Sequence, residues 1–142
     1  IICDTLTIDG PVLDNSVYNK KLTILGGMKH LAGTFTSGTG AGAVVSFAGS
    51  ALQKIGGSLG NFTGTSAFNH LEINNSAGLT VNNGGAVEVK GNLLLTSGLV
   101  NTSNTGSGPV LRRFASGSVL SNSACRRARV AITVGGGRAR PC

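Results

Sequence analysis

The 142-residue sequence has no tryptophan, one tyrosine and five phenylalanines, so aromatic residues make up only 4% of it. A core drawn from this composition is narrow and filled by Val, Leu and Ile rather than by rings. Proline is also scarce, at three residues against 23 glycines, which leaves the turns to Gly, Asn, Ser and Thr. The glycines follow no period of three, which excludes a collagen-type helix. No apolar run approaches the roughly 18–20 residues of a membrane-spanning helix, so membrane insertion is not expected. No signal peptide is visible, and a start at Ile1 rather than Met fits a processed or excised piece of a longer protein.

Acids are few as well. Asp4, Asp9, Asp14, Glu72 and Glu88 are all there are, and they balance the five lysines Lys20, Lys21, Lys29, Lys54 and Lys90. From Leu111 onward there is no acid or lysine but there are seven arginines, so the formal charge of +7 comes entirely from the stretch 111–142. Two compositions follow one another: a neutral segment, 1–110, and an arginine-rich tail, 111–142. The tail is expected to be disordered or read out of frame. Its charge alone would attract polyanions, but without a reading helix or stacking aromatics no specific nucleic-acid partner is expected. Cys3, Cys125 and Cys142 form an odd set without CxxC spacing, and His30 and His70 lie apart from them, so neither zinc nor another metal is expected. Cys125 and Cys142 leave a pairing within the tail open.

Short apolar–polar alternations mark half-buried strands. They occur at Leu6/Ile8, Leu22/Ile24, Leu31 to Phe35, Val45/Phe47, Leu71/Ile73, Leu79/Val81, Val87/Val89 and Leu93/Leu95, each closed by Gly, Asn, Asp or Ser. No window carries a capped helical pattern. Similar strands recur at Leu6, Leu22, Val45, Leu71 and Leu93, at intervals of roughly 16–26 residues, within the repeat periods of solenoids. Three short strands in about 22 residues make one coil of such an array. The segment therefore reads as all-β, a right-handed parallel β-helix fragment of about 4–5 coils. Its core column is Leu6, Ile8, Leu22, Ile24, Val45, Phe47, Leu71, Ile73, Leu79, Val81, Val87, Val89, Leu93 and Leu95. An antiparallel β-sandwich is the alternative, with Asn83-Gly84 as a candidate hairpin turn.

The stretches "AVVSFAGSALQKIGGS" (Ala43–Ser58), "FNHLEINNSAGLTV" (Phe68–Val81) and "VEVKGNLLLTSGLVNTSN" (Val87–Asn104) resemble a repeat in large secreted surface proteins of Bacteroidota. Those proteins are adhesin-like or autotransporter-like. The matching positions include Phe47, Gly49, Ser50, Gln53, Ile55 to Ser58, Phe68, Leu71, Ile73 to Ser76, Val89, Gly91 to Leu93 and Leu95 to Gly98. "CDTLTIDG" and "KLTILGG" look like preceding coils. The resemblance covers residues 1–110. It implies a secreted or cell-surface β-helical stalk whose partner is a surface glycan or a host or neighbouring cell.

Little chemistry stands beside this scaffold. Glu72 and Glu88 fall between inward pairs and are expected to point into solvent, whereas a polysaccharide-active β-helix enzyme needs carboxylates converging in a groove. His30 and His70 have no evident partner. "SGTGAGAVV" (Ser37–Val45) has the glycine density of a phosphate loop but no placed lysine and no following helix, so it reads as a wide turn. "IGGSLGNFTG" (Ile55–Gly64) lacks the aspartate of a calcium repeat. Thr34 and Thr36 share one strand face and are the weak surface-binding candidates of an ice-binding solenoid. The expectation is a structural, adhesive, non-enzymatic module without a cofactor, able to self-associate through its solenoid ends. Polysaccharide cleavage and ice binding are the alternatives.

Overall fold

The computed structural model describes residues 1–56, 61–82, 86–102, 110–113, 119–121 and 133–134. Three short strands form each turn of the chain. They are β1 (Ile2–Cys3), β2 (Leu6–Ile8) and β3 (Val12–Asp14), then β4 (Leu22–Ile24), β5 (Met28–His30) and β6 (Thr34–Thr36). The third and fourth turns hold β7 (Val44–Phe47), β8 (Gln53–Gly56) and β9 (Asn61–Phe62), then β10 (His70–Asn74), β11 (Leu79–Val81) and β12 (Ala86–Val89). Beyond them lie β13 (Leu93–Ser97), β14 (Val100–Thr102), β15 (Val110–Arg113), β16 (Val119–Ser121) and β17 (Thr133–Val134).

Strands pair across turns, always in parallel. The first face runs β1-β4-β7-β10-β13-β16 and the second β2-β5-β8-β11-β14. The third face is split into β3-β6 and β9-β12-β15-β17. Among the described residues no strand pairs with its neighbour in sequence, which rules out the sandwich. Asn83-Gly84 lies outside the described residues, but the strands that flank it, β11 and β12, pair with other turns. The chain is a parallel β-solenoid.

The alternation of the sequence is the cause of this stacking. On the first face Leu22, Val45, Leu71 and Leu93 lie in register, as do Ile24, Phe47, Ile73 and Leu95. On the second face Leu6, Met28, Ile55 and Val81 form another column. Ile8, Ile24, Val45, Phe47, Leu71, Ile73, Leu79, Val81, Val87, Val89 and Leu93 are buried, and Leu6, Leu22 and Leu95 pack against them partly buried. Each inward Leu or Ile contributes about 1.5–3 kcal/mol by leaving water.

One expected alignment is corrected. "LTI" occurs at residues 6–8 and 22–24, but the two copies occupy different faces. Thr23 pairs with Ile2, and Leu6 pairs with Met28. The first interval on the first face therefore runs from Ile2 to Thr23, not from Leu6 to Leu22. The expected core residues likewise line three faces rather than one column. The alternation from Leu31 to Phe35 also divides, because the strands there are Met28–His30 and Thr34–Thr36, with a turn between them.

The third face breaks where the third turn is longest. There the edge of β6 meets a single 3-10 turn, Gly64–Ser66, and the Phe35 N–H donates to Ser66 Oγ at 3.2 Å. The widened interior is filled by rings. Phe62 and Phe68 stack at 5.0 Å between centroids, and Phe35 packs at 6.2 Å and 5.7 Å from them. Three of the five phenylalanines are thus gathered at an irregular place in the core. The change to arginine at 111 falls inside β15, which pairs with β12 and β17. The expected disorder of 111–142 otherwise lies outside the described residues.

Replacing Ile73 by Ala opens a cavity in a stacked column and lowers unfolding free energy by about 2–5 kcal/mol. Asn74→Ala, at an exposed neighbour, changes it by less than about 0.5 kcal/mol. Urea unfolding of the two variants measures the difference.

Candidate functional site

Glu72 alternates outward between Leu71 and Ile73, yet it is not the solvated acid expected from sequence. Lys21 Nζ lies 2.6 Å from Glu72 Oε2, and Thr96 Oγ1 donates to Oε1 at 3.1 Å. Thr96 reaches it because the register shifts between Ile73 and Asn74: Ile73 pairs with Leu95 and Asn74 with Ser97, so Thr96 is bulged out. The Ser46 hydroxyl, buried although it sits on the outward side, adds a third hydrogen bond. Burial raises the carboxyl's proton affinity, but the hydrogen bonds from Lys21, Ser46 and Thr96 and the charge of Lys21 outweigh it. The group is held below the ordinary carboxylate range. A carboxylate kept ionised and occupied by three donors is a poor general acid.

Glu88 stands on a different face, on β12, where Oε2 accepts the Gly64 N–H at 3.0 Å. The two acids do not converge. His30 is not isolated as expected: it is buried in register with Ile8, its ring 5.4 Å from Phe62 and its Nε2 3.0 Å from the Gly33 carbonyl. His70 Nδ1 accepts the Asn92 N–H at 2.9 Å. Both histidines serve the scaffold. Thr34 and Thr36 are half-buried on β6, and their ladder neighbours are Val12 and Asp14 rather than further threonines. Among the described residues no three His, Cys, Asp or Glu side chains lie close enough together to hold a metal ion. No helix among them is long and apolar enough to cross a membrane. Cys3 is free and half-buried, and burial, followed by the charge of Asp4, pushes its thiol up. Cys125 and Cys142 lie outside the described residues.

The glycine-rich stretch after Ser37 already holds an acceptor. Thr39 and Gly40 N–H groups donate to Asn19 Oδ1 at 3.0 and 2.7 Å. A Cβ at Gly40 or Gly42 would meet Asn19 at 2.9 or 2.6 Å, so the glycines make room for that residue. The apparent phosphate cradle is a wrapped asparagine.

Two buried amides stand at the corner between the first and second faces, where strand alternation gives no sign of them. Gln53 Nε2 donates to the Ile24 and Gly26 carbonyls at 2.9 and 2.6 Å, and its Oε1 accepts the Gly49 N–H at 3.1 Å. One turn later Asn75 Nδ2 donates to Ala51 O at 2.7 Å and to Gln53 Oε1 at 2.9 Å. Asn75 Oδ1 accepts the Ala77 N–H at 2.9 Å. Next in the stack Gly98, at φ +86°, leaves space that a Cβ would fill by colliding with the Asn75 carbonyl. This amide ladder satisfies corner backbone that would otherwise be buried without partners. A different signal marks it: Gln53, Asn75 and Gly98 lie within the three stretches Ala43–Ser58, Phe68–Val81 and Val87–Asn104.

A further feature is an apolar cavity of about 260 Å³ at the N-terminal end, lined by Cys3, Leu6, Leu22, Phe35 and Val45, with Asp14 and Lys20 also on its wall. No protein-family model, curated protein or solved structure matches the chain.

Asn75→Ala strips several corner groups of their partner and costs about 1–3 kcal/mol for each polar group left buried and unpaired. Thermal or urea unfolding reads the loss. The lowered Glu72 carboxyl contributes stability above the ordinary carboxylate value of about 4.3, and that contribution is lost as pH falls through the folded value. Glu72→Gln is therefore less stable than the parent at about pH 6, by no more than about 1 kcal/mol because Lys21 is half exposed. The gap closes toward about pH 2 in unfolding curves taken across that range.

Proposed function

We propose that the chain is a non-catalytic structural and adhesive repeat module of a secreted or cell-surface protein. In this reading it is a stiff stalk that presents its outer faces to a glycan or a neighbouring cell. The observation that carries the reading is the use of its polar side chains. Gln53, Asn75, Asn19 and both histidines are committed to holding backbone or core, and the two outward glutamates sit on separate faces. The likeness of its motifs to adhesin-like surface repeats points the same way, since Gln53, Asn75 and Gly98 within those motifs meet at the corner where one turn stacks on the next.

The reading is tested with the whole chain immobilised and challenged with a panel of neutral and acidic polysaccharides. Retention without any shortening of the polymer is the expected result. Newly formed reducing ends or unsaturated sugars would overturn the non-catalytic assignment, and failure to retain any glycan or cell surface would overturn the adhesive one.

Self-association is favoured by a separate observation. At the first turn β1, β2 and β3 each have one edge without a partner strand among the described residues. Ile1, Ile2, Val12, Leu13, Val17 and Tyr18 are exposed at this end of the stack, where the apolar cavity also opens. Open strand edges beside apolar surface recruit further strands. Sedimentation velocity is expected to find concentration-dependent oligomers, and a monomer at every concentration would refute this.

A further inference from the structure

We infer that the outer face of the second sheet is an attachment site for an acidic oligosaccharide, gripped by Lys29 and Lys54. The inference rests on the adhesive reading and gives it a location and a ligand chemistry.

The site follows from register. Met28 and Ile55 stack inward, so the residues beside them, Lys29 and Lys54, project outward and are exposed. Lys29 is paired with Gly56, and the backbone of Gly27 lies against that of Lys54, a Cβ there falling 3.0 Å from the Lys54 carbonyl. Lys29 thus faces a glycine on the adjacent strand β8, and Lys54 faces one just before β5. The two Cα positions are one strand apart and two residues offset, about 8 Å by sheet geometry. Between the lysines lies an open groove of about 340 Å³, floored in part by Gly27 and Gly56.

Its chemistry suits a charged sugar chain. No carboxylate is among the residues that line it, although Asp4 lies against Gly26 just beyond the lining. Neither Lys29 nor Lys54 makes an ion pair or side-chain hydrogen bond among the described residues, whereas Lys21 on the first face is neutralised by Glu72. Two like charges held near each other without paired counter-ions attract an anion. The groove wall also carries Leu25 and Leu52, both exposed, which offer apolar surface to the C–H face of a sugar ring. Thr5 Oγ1 accepts the Gly27 N–H at 3.4 Å and keeps its own hydroxyl hydrogen for a ligand. The Asn82 side-chain amide has no partner among the described residues. A floor that includes two glycines, apolar walls, neutral hydrogen-bonding groups and two ammonium groups match a carbohydrate bearing carboxylates, a uronate oligomer. Nucleic acid fits less well, because no aromatic lines the groove on which a base would stack. Exposed ammonium–carboxylate contacts are screened, so binding is weak per site and falls with salt.

The test uses the whole chain, isotopically labelled and titrated with an oligogalacturonate, with a neutral oligosaccharide of the same length and with a single-stranded DNA oligonucleotide. Amide shifts locate the contact and their titration gives Kd. Oligogalacturonate is expected to shift Lys29, Lys54, Gly56 and Asn82, and Lys29→Gln with Lys54→Gln is expected to weaken it at least tenfold. The charge-matched pair Lys20→Gln with Lys90→Gln, away from the groove, is expected to change Kd less than twofold. Equal weakening by the two pairs, or shifts confined to residues 111–142, would mean that net charge or the arginines bind the polymer, and the inference would fall. Equal affinity for the neutral sugar, or lysine-dependent binding of DNA without binding of oligogalacturonate, would overturn the ligand assignment. If the chain still retains other glycans, the adhesive reading survives the loss of this site. If it retains none, both fall together.

Discussion

Everything in this molecule depends on stacking each inward residue on its counterpart one turn later. A side chain at Leu71 is buried because Val45 and Leu93 lie directly beside it in the ladder, and each of these needs its own neighbour in turn. Parallel pairing across turns removes any need for hairpins and lets strands be as short as Ile2–Cys3 or Leu6–Ile8. It also sets a strict condition. Register must hold on every face at once, so a residue inserted within a strand would turn its apolar side outward.

Length differences must therefore be absorbed at the corners, and the corners engage several of the polar side chains, Asn19, Gln53 and Asn75 among them. More chain separates Val45 from Leu71 than separates Leu71 from Leu93, yet the columns stay aligned. The surplus between Val45 and Leu71 is taken up by the turn at Gly64–Ser66, just as the loop before Val44 is folded over Asn19. Where a corner folds inward its carbonyls leave water, and Gln53 and Asn75 replace that water with amide donors. Asparagine, glutamine, serine and glycine look chemically quiet in such a chain because their hydrogen-bonding capacity is directed at the chain itself.

This division explains which features are legible in the sequence. The strands and the parallel solenoid can be read because period-two alternation in short segments, at a spacing too long for a hairpin, leaves few other solutions. Faces cannot be told apart. Each face makes the same demand for apolar inward residues, so "LTI" serves equally in β2 and β4, and only the partner one turn away distinguishes them. Buried polar groups escape for a related reason. A rule that sends polar residues outward misplaces His30, Gln53 and Asn75, whose burial is tolerable only because hydrogen-bond partners come into range as the turns stack. Alternation puts Glu72 on the correct side of its strand but says nothing of its surroundings, since the bulge that aims Thr96 at it is a property of pairing rather than of composition.

The same logic separates stability from recognition. Inward columns and corner amides are constrained by their neighbours on both sides, whereas outward positions range from Glu72, held by three donors, to the exposed Lys29 and Lys54. The outward faces are consequently not equivalent. On the first face the charge of Lys21 is cancelled by Glu72, which is itself occupied by Ser46 and Thr96. On the second face Lys29 and Lys54 share a groove whose lining holds no acid to answer them. An uncancelled pair of charges contributes nothing to the stack and slightly opposes it. In the proposed acidic-oligosaccharide site the counter-charge would arrive from outside the chain.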